Sequence, residues 1–265
     1  MTSPPKTPLR DVLPPGGQEA LGAARRASRS GILYLLPTAL GDTAWQTYLP
    51  QETRDTACRL MHFIVENAKT ARAELKHIGH PQPLRDLAIE QIPEKLPAAE
   101  IERLLAPAVG GHDVGLMSEA GCPGVADPGA LLVRRAHALG IAVRPLIGPS
   151  SLLLALMASG LEGQRFAFHG YLPQREPERG RKITELERES QRHGQTQMFI
   201  ETPYRNAALF AALLSACRPD TLLCIASNLT LATETIATKA IGGWRKLPPP
   251  ALEKHPTVFL LLSAG

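Results

Sequence analysis

The stretch "SEAGCPGVADPG" (118–129) separates two segments with different structural preferences. The apolar run "DVGLM" (113–117) before it has strand character, and "ALLVRRAHAL" (130–139) after it has helical spacing. The stretch itself holds three glycines and two prolines. Ligands of open α/β sheets bind beyond the carboxyl ends of strands, and glycine lets them approach the backbone closely. The pattern therefore predicts a strand–loop–helix unit whose loop borders a ligand; the alternative is a rigid turn.

Strands and helices alternate on both sides of this unit. Apolar runs predict strands at "ILYLLPT" (32–38), "HFIVEN" (62–67) and "IAVRPLI" (141–147), and helical spacing appears at 99–110 and 152–159. Alternation of this kind favours a mainly parallel α/β sheet in the first half of the chain. Three further loops, at 37–42, 65–67 and 148–151, follow predicted strands, which favours a shared site over four unrelated turns.

The second half of the chain has more strands for each helix. Predicted strands lie at 165–173, 195–203, 222–228, 234–241 and 257–263, and predicted helices at 176–194 and 204–217. This proportion predicts a second α/β domain with a mixed sheet. We expect a flexible basic tail at 1–30, an N-terminal domain at 31–148 and a C-terminal domain at 149–265.

Composition excludes several classes of protein. The four cysteines form no C-x-x-C pair and have no histidine cluster beside them, so we expect no metal site and no disulfide framework. No apolar stretch reaches membrane-spanning length, and a cytoplasmic location is expected. The net charge of +4 is compatible with a nucleic-acid substrate without requiring one, and an aromatic content of 5% gives no indication of a stacking platform. The common nucleotide-binding and hydrolase motifs are absent.

Five segments together resemble a known family. "LYLLPTALGD", "LMSEAGCPGVADPG", "PLIGPSS", "FAFHGYLP" and "FIETPYR" are similar, in the same order, to segments of the tetrapyrrole methylase family of S-adenosylmethionine-dependent methyltransferases. Within that family the resemblance is nearest to the branch of the ribosomal RNA small subunit methyltransferase I enzymes. It runs from about Gly31 to the C-terminus. It implies a two-domain α/β fold with the cofactor in the cleft between the domains, in a homodimer.

The resemblance also implies which residues contact S-adenosylmethionine. They lie in the first glycine-rich loop, the loop beneath the cofactor, the serine segment and two second-domain segments. In this chain they are Pro37, Gly41, Asp42, Glu119, Ala120, Gly121, Cys122, Val125, Ser150, Ser151, Glu201, Thr202, Leu229 and Thr230. Two motifs depart from the branch: residues 66–69 read Glu-Asn-Ala-Lys where the branch typically has Glu-Asp-Thr-Arg, and residues 118–123 read Ser-Glu-Ala-Gly-Cys-Pro where it typically has Ser-Asp-Ala-Gly-Thr-Pro. The branch also usually carries a further C-terminal extension.

Methyl transfer needs alignment of donor and acceptor, and a hydroxyl or amide-like acceptor also benefits from a base. Candidate bases at strand ends are Asp42, Glu66, Glu119 and Glu201, and Lys69 and Arg205 are candidates to orient an anionic substrate. Capping of the following helix or loop is the alternative role for each carboxylate, and Arg205 is equally suited to brace its own domain. We take Glu66, Glu119 and Lys69 as the catalytic candidates. Asp127, before a proline in a turn, favours a structural role.

The resulting expectation is an S-adenosylmethionine-dependent methyltransferase whose acceptor is a ribose or base of RNA. Two alternatives stay open at this point. One is a methyltransferase for a small molecule, tetrapyrrole-like or otherwise. The other is a protein that binds the cofactor without catalysis. Catalysis requires Glu66, Glu119 and Lys69 to lie together, whereas a binding protein requires only the cofactor loops.

Overall fold

The computed structural model describes residues 30–263. The predicted basic tail, apart from its last residue, lies outside the described residues. Within them, two five-stranded sheets carry the predicted alternation of strands and helices. The division of the chain at 148/149 remains a prediction, although the two sheets fall on either side of it.

The first sheet is entirely parallel, with the strand order β3-β2-β4-β1-β5. Parallel strands need crossover connections, and helices supply them here. The strands are β1 (Ile32–Leu36), β2 (His62–Val65), β3 (Ala88–Gln91), β4 (Val114–Met117) and β5 (Ala142–Pro145). The helices are α1 (Gln51–Ala57), α2 (Ala68–His77), α3 (Ala98–Val109) and α4 (Gly129–Ala138), with short 3₁₀ turns at Trp45–Thr47 and Leu84–Asp86.

Two apolar clusters cover the two faces of this sheet. Phe63 and Leu75 belong to one cluster, and Leu116 and Leu132 belong to the other, and all four side chains are buried. Strand β4 is buried along its whole length, as its unbroken apolar run predicts for a central parallel strand. This packing fixes the carboxyl end of β4, where the loop at 118–128 begins.

The second sheet is mixed, with the order β6-β7-β10-β8-β9. Its strands are β6 (Phe166–Tyr171), β7 (Thr196–Ile200), β8 (Leu222–Ser227), β9 (Thr235–Ala240) and β10 (Thr257–Leu262). Only β6 and β7 are parallel; the other pairs are antiparallel. The helices are α5 (Ser151–Ser159), α6 (Glu178–His193), α7 (Asn206–Ala216) and the short α8 (Ile241–Trp244), with a 3₁₀ turn at Pro203–Arg205.

Helix α5 joins the two halves of the molecule. It begins directly after the serine segment, where the Ser150 side chain accepts a hydrogen bond from the Leu153 amide, and it ends at Gly160. Its buried residues Ala155 and Leu156 pack against the second sheet, in a cluster with Met198 and Leu260. The chain therefore passes from the carboxyl edge of the first sheet straight onto one face of the second.

Candidate active site

The loop at 118–128 is paired with the loop that follows β1. Thr38 and Gly121 exchange backbone hydrogen bonds, from the Thr38 amide to the Gly121 carbonyl (3.0 Å) and from the Gly121 amide to the Thr38 carbonyl (3.2 Å). Gly121 has a φ of +74°, a conformation that disfavours any residue with a Cβ. Strands β1 and β4 are neighbours in the sheet, so their loops emerge side by side at its carboxyl edge.

Asp127 holds the rest of this loop in place. Its carboxylate accepts hydrogen bonds from the Gly124 amide (2.9 Å) and the Gly129 amide (2.7 Å). Burial, together with the nearby charge of Glu66, raises the pKa of Asp127. The hydrogen bonds from the two amides lower the pKa by less, so it lies above the ordinary value of an aspartate. The side chain thus has the structural role that its place in the turn predicts.

Replacing Asp127 by alanine should remove the acceptor from two backbone amides. We expect D127A to lower the free energy of unfolding by about 1–3 kcal/mol, because buried donors lose their partners. D127N retains an amide oxygen at the same position and serves as the matched control. Urea unfolding of both variants measures the effect, and a D127A protein as stable as the wild type contradicts this role.

A cavity of about 620 Å³ lies between the two sheets. The loops after β1, β4 and β5 form one wall, and the ends of β6, β7 and β8 and the start of β10 form the other. Eleven of the residues singled out from the sequence line it: Glu66, Glu119, Ala120, Gly121, Cys122, Val125, Ser150, Ser151, Glu201, Thr202 and Leu229. Parallel strands bring these distant segments together because their carboxyl ends share one edge.

A second, smaller cavity of about 300 Å³ adjoins the first. The loop after β1 and helix α2 enclose it, and it shares Ser118 and Glu119 with the larger cavity. Gly41 and Asp42, predicted to contact the cofactor, line this smaller cavity and not the larger one. Pro37 lines neither cavity; it packs against Gly148, where an added Cβ would lie 2.3 Å from the Pro37 Cβ.

Glu119 lies where the two cavities meet, and Glu66 lies beside it in the wall of the larger cavity. The Glu66 carboxylate accepts a hydrogen bond from the Glu119 amide at 2.9 Å, which fixes the backbone of residue 119. The Glu119 carboxylate is exposed and makes no hydrogen bond or ion pair with any residue between 30 and 263. The third catalytic candidate, Lys69, is an exposed residue at the start of α2 and lines neither cavity.

The two departures from the family pattern have local structural explanations. Asn67 caps α2, because its side chain accepts hydrogen bonds from the Lys69 and Thr70 amides, and asparagine caps helices as well as aspartate does. Cys122 donates from its thiol to the Pro149 carbonyl at 3.3 Å. Burial raises the pKa of Cys122, which keeps it a thiol at neutral pH and therefore a donor like a threonine hydroxyl.

Glu201 is held by residues of its own domain. Its side chain is almost fully buried, and its Oε1 accepts hydrogen bonds from Arg205 Nη2 (2.8 Å), Arg205 Nε (3.0 Å) and the Thr202 amide (2.7 Å). The pair braces the turn after β7, which is the alternative role noted for Arg205. His169, on β6, contacts Gln197 Oε1 through Nε2 at 2.6 Å and does not line the cavity.

Sequence reasoning missed several residues that line the larger cavity, including Tyr171, Asn228 and Thr257. Tyr171 ends β6 opposite Ile200 of β7. The parallel pairing of these two strands therefore places Tyr171 at the cavity. Thr257 opens β10, which is antiparallel to both of its neighbours and therefore starts at the edge where they end. That arrangement depends on strand order, which the sequence pattern does not encode.

The larger cavity has the features of a site for S-adenosylmethionine. Its lining holds four carboxylates, Glu66, Glu119, Asp127 and Glu201, and no lysine or arginine, which suits a ligand that carries a sulfonium and an ammonium group. Thr202 Oγ1 is buried there without a hydrogen-bond partner in the described chain. Buried hydroxyls normally have partners, so this one is available to a bound ligand. Thr230, also predicted to contact the cofactor, has a buried Oγ1 without a partner in the same residues but lines neither cavity.

A family model described as Tetrapyrrole (Corrin/Porphyrin) Methylases matches residues 33–242. The chain belongs to the tetrapyrrole methylase family. It is accordingly a methyltransferase, and S-adenosylmethionine is the methyl donor of this family. Within the described residues, no group of three or more His, Cys, Asp or Glu side chains is arranged to hold a metal ion, and none of the helices there is both long and apolar enough to cross a membrane.

Individual relatives of this tetrapyrrole methylase agree with the family match. It is 33% identical over 209 residues to the ribosomal RNA small subunit methyltransferase I of Xylella fastidiosa (strain Temecula1), which covers 79% of this chain and 72% of that protein. It is 37% identical over 211 residues to the Pseudomonas aeruginosa protein of the same name, covering 78% and 69%. The crystal structure of the methyltransferase CobJ has the same fold, with a TM-score of 0.60 at 18% identity over 89% of this chain and 95% of that one.

Proposed function

We propose that this tetrapyrrole methylase transfers a methyl group to RNA, on a ribose 2′-oxygen or on a base. The position of Glu119 carries the proposal, because this free carboxylate stands where the larger and the smaller cavity meet. The relatives named as ribosomal RNA methyltransferases align with about four-fifths of this chain, and their names support RNA as the acceptor class. The net charge of +4 and the pI near 9.0 are compatible with a polyanionic partner.

The proposal assigns the donor to the larger cavity and the acceptor group to the smaller one. When bound, S-adenosylmethionine supplies a methyl group activated by its sulfonium charge. Thr202 and the Gly121 backbone would hold the donor, and the carboxylates would favour its cationic end. Glu119 would accept the proton that a hydroxyl or nitrogen acceptor loses, and Glu66 would keep residue 119 at the junction through its 2.9 Å hydrogen bond.

The charges that line the smaller cavity help to distinguish between the possible acceptors. It is lined by Asp42, Glu74 and Glu119, without a lysine or arginine, and by His77, whose Nε2 donates to the Thr43 carbonyl at 2.8 Å. Carboxylates repel the acidic side groups of a tetrapyrrole but accept hydrogen bonds from nucleobase amino groups. A small neutral or cationic acceptor remains the second candidate.

Calorimetric titration with S-adenosylmethionine and S-adenosylhomocysteine tests the donor assignment. We expect saturable binding of both at a single site, and D127A and T202A should weaken it, because one disturbs the loop and the other removes an unpartnered hydroxyl. Binding without methyl transfer to any acceptor would favour the non-catalytic alternative. Absence of binding would refute the cofactor site and return the loop at 118–128 to a structural turn.

We further propose that the functional unit is a homodimer formed through helix α5. This helix has an apolar sequence on all sides, yet Leu153 is 53% and Met157 is 79% exposed. The two side chains are four residues apart and share one face, and Ile147, just before the helix, is exposed as well. An apolar helix face left in solvent suits a self-complementary contact with a second copy.

Lysine at both exposed positions of α5 tests the dimer. The double substitution L153K and M157K should convert a dimer into a monomer in sedimentation velocity, because charge repulsion and desolvation oppose the apolar contact. V109K, at an exposed apolar residue that ends α3, is the control and should leave the dimer intact. A wild-type monomer at micromolar concentration, or a dimer that survives the double substitution, contradicts this interface.

A cytoplasmic location is proposed on separate grounds. All four cysteines, Cys58, Cys122, Cys217 and Cys224, are free thiols. Free thiols are usual in proteins of reducing compartments. A ribosomal RNA acceptor would be found in the same compartment.

A further inference from the structure

Two exposed tyrosines lie at the end of β6 and in the turn after β7, and the first of them, Tyr171, lines the larger cavity. The chain has four tyrosines, of which Tyr48 is buried and Tyr34 half-buried, whereas Tyr171 is 57% and Tyr204 is 81% exposed. Tyr171 ends β6 and lies opposite Ile200 at the end of the parallel strand β7, and Tyr204 lies in the turn that follows β7. The two exposed tyrosines of the described chain therefore stand at the same edge of the second sheet.

Arg205 lies in the same turn as Tyr204 and is held by Glu201. Its guanidinium donates to Glu201 Oε1 through Nε and Nη2, at 3.0 and 2.8 Å. The hydrogen bond to Glu201 raises the pKa of Arg205, and the Tyr171 and Tyr204 hydroxyls raise it further. A planar guanidinium at this end of β7 offers another face on which flat groups stack.

The loop after β6 carries a further positive charge. Arg175 follows Tyr171 by four residues, is exposed, and forms no ion pair with a carboxylate of residues 30–263. Exposed aromatic rings combined with arginine are the surface that unpaired nucleotides recognise, because every base has a face to stack and every nucleotide a phosphate.

We propose that Tyr171 and Tyr204 form a stacking platform for unpaired bases next to the acceptor nucleotide. This inference rests on the proposed function, because it takes RNA as the acceptor and adds the surface that receives its flanking bases. Tyr171 lines the larger cavity, and Glu119 lies in the wall of that cavity where it meets the smaller one. It makes RNA binding depend on aromatic rings whose hydroxyls are dispensable.

Fluorescence anisotropy with a fluorescein-labelled, single-stranded RNA of mixed sequence measures the contribution of the rings. We expect Y204A and Y171A each to raise the Kd for this RNA about five-fold or more, the lower end for loss of a base–aromatic stack. Y204F and Y171F should retain binding, because the ring remains. F166A is the matched control: Phe166 begins the same strand as Tyr171, at the opposite end from the cavity, and is 43% exposed.

The outcomes separate this inference from the function on which it rests. Tyr204 does not line the cavity, so Y204A should bind S-adenosylmethionine like the wild type and melt at the same temperature. If the wild type binds and methylates RNA but Y204A and Y171A retain its Kd, the platform is refuted and the RNA function stands. If the wild type neither binds nor methylates RNA, the proposed function itself fails, and the platform fails with it. Weaker RNA binding by F166A to the same degree also refutes the platform.

Discussion

Replacing Glu119 by glutamine is expected to lower kcat for methyl transfer by about 10²- to 10⁴-fold, the usual contribution of a general base. Glutamine has nearly the same shape but takes up no proton at the acceptor. The Glu119 amide, which donates to Glu66, is untouched by the change. The Kd for S-adenosylmethionine should therefore remain close to that of the wild type. Single-turnover transfer from tritiated donor, at saturating RNA, measures the effect.

The control for E119Q is E94Q. Glu94 is an exposed carboxylate in the loop before α3 and lines neither cavity. Its replacement removes one negative charge from the same domain and should leave kcat unchanged. An E119Q protein with a kcat within a few-fold of the wild type would remove Glu119 from the reaction and leave the carboxylates of the cavity with an electrostatic role only.

Replacing Gly121 by valine is expected to raise the Kd for S-adenosylmethionine at least ten-fold and to destabilise the fold by about 1–3 kcal/mol. Valine is strained at a φ of +74°, and its Cβ would lie 3.3 Å from Leu40 Cδ2, a tight contact with a side chain of the cavity wall. Relief of that strain would disturb the paired hydrogen bonds with Thr38. Calorimetry with the donor and thermal melting measure the two effects.

G140V separates strain from site geometry. Gly140 has a φ of +70° and no neighbouring atom within 4 Å of an added Cβ, and it lies before β5, at the opposite edge of the sheet from the cavity. It should lose stability to a similar degree and bind the donor like the wild type. Equal loss of donor binding by G140V and G121V would mean that the loop at 118–128 has no special role in binding.

The sequence was sufficient to predict the elements that are long, apolar or sharply bounded. Strand β4 is a short run with no charged residue, followed by a loop rich in glycine and proline, and its place in a parallel sheet follows from both features. Elements that bury few apolar residues escaped prediction. Strand β3 reads "AIEQ" and is mostly exposed, and α2 buries only Ala71 and Leu75, so neither has a pattern that distinguishes it from a loop.

The site was predictable in outline because parallel strands end at one edge of a sheet. That rule brings Glu66, Glu119 and Ser150 to one cavity from distant parts of the sequence. It does not say which side of an edge a loop faces. Gly41 and Asp42 follow β1, yet they line the smaller cavity, because the chain turns away after the Thr38–Gly121 bridge. Lys69 lies in the first turn of α2, where its backbone amide donates to the Asn67 cap and its side chain is exposed.

The two exposed tyrosines show a further limit of composition. An aromatic content of 5% gave no indication of a stacking surface, because a percentage does not show where the rings lie. Burial of Tyr48 and partial burial of Tyr34 leave two exposed tyrosines, and the pairing of β6 with β7 places Tyr171 opposite Ile200, four residues before Tyr204. A small number of aromatic residues is enough to form a stacking surface when the fold places them near one another.

Transfer of tritiated methyl groups from S-adenosylmethionine to total RNA, taken from cells that lack this gene, tests the central claim most directly. We expect the purified wild-type protein to label RNA, the label to be released by ribonuclease, and E119Q to label it at least one hundred-fold more slowly. RNA from cells that carry the gene should accept little label, because its sites are already methylated. Donor binding without label in RNA, or label confined to small molecules, would contradict RNA as the acceptor.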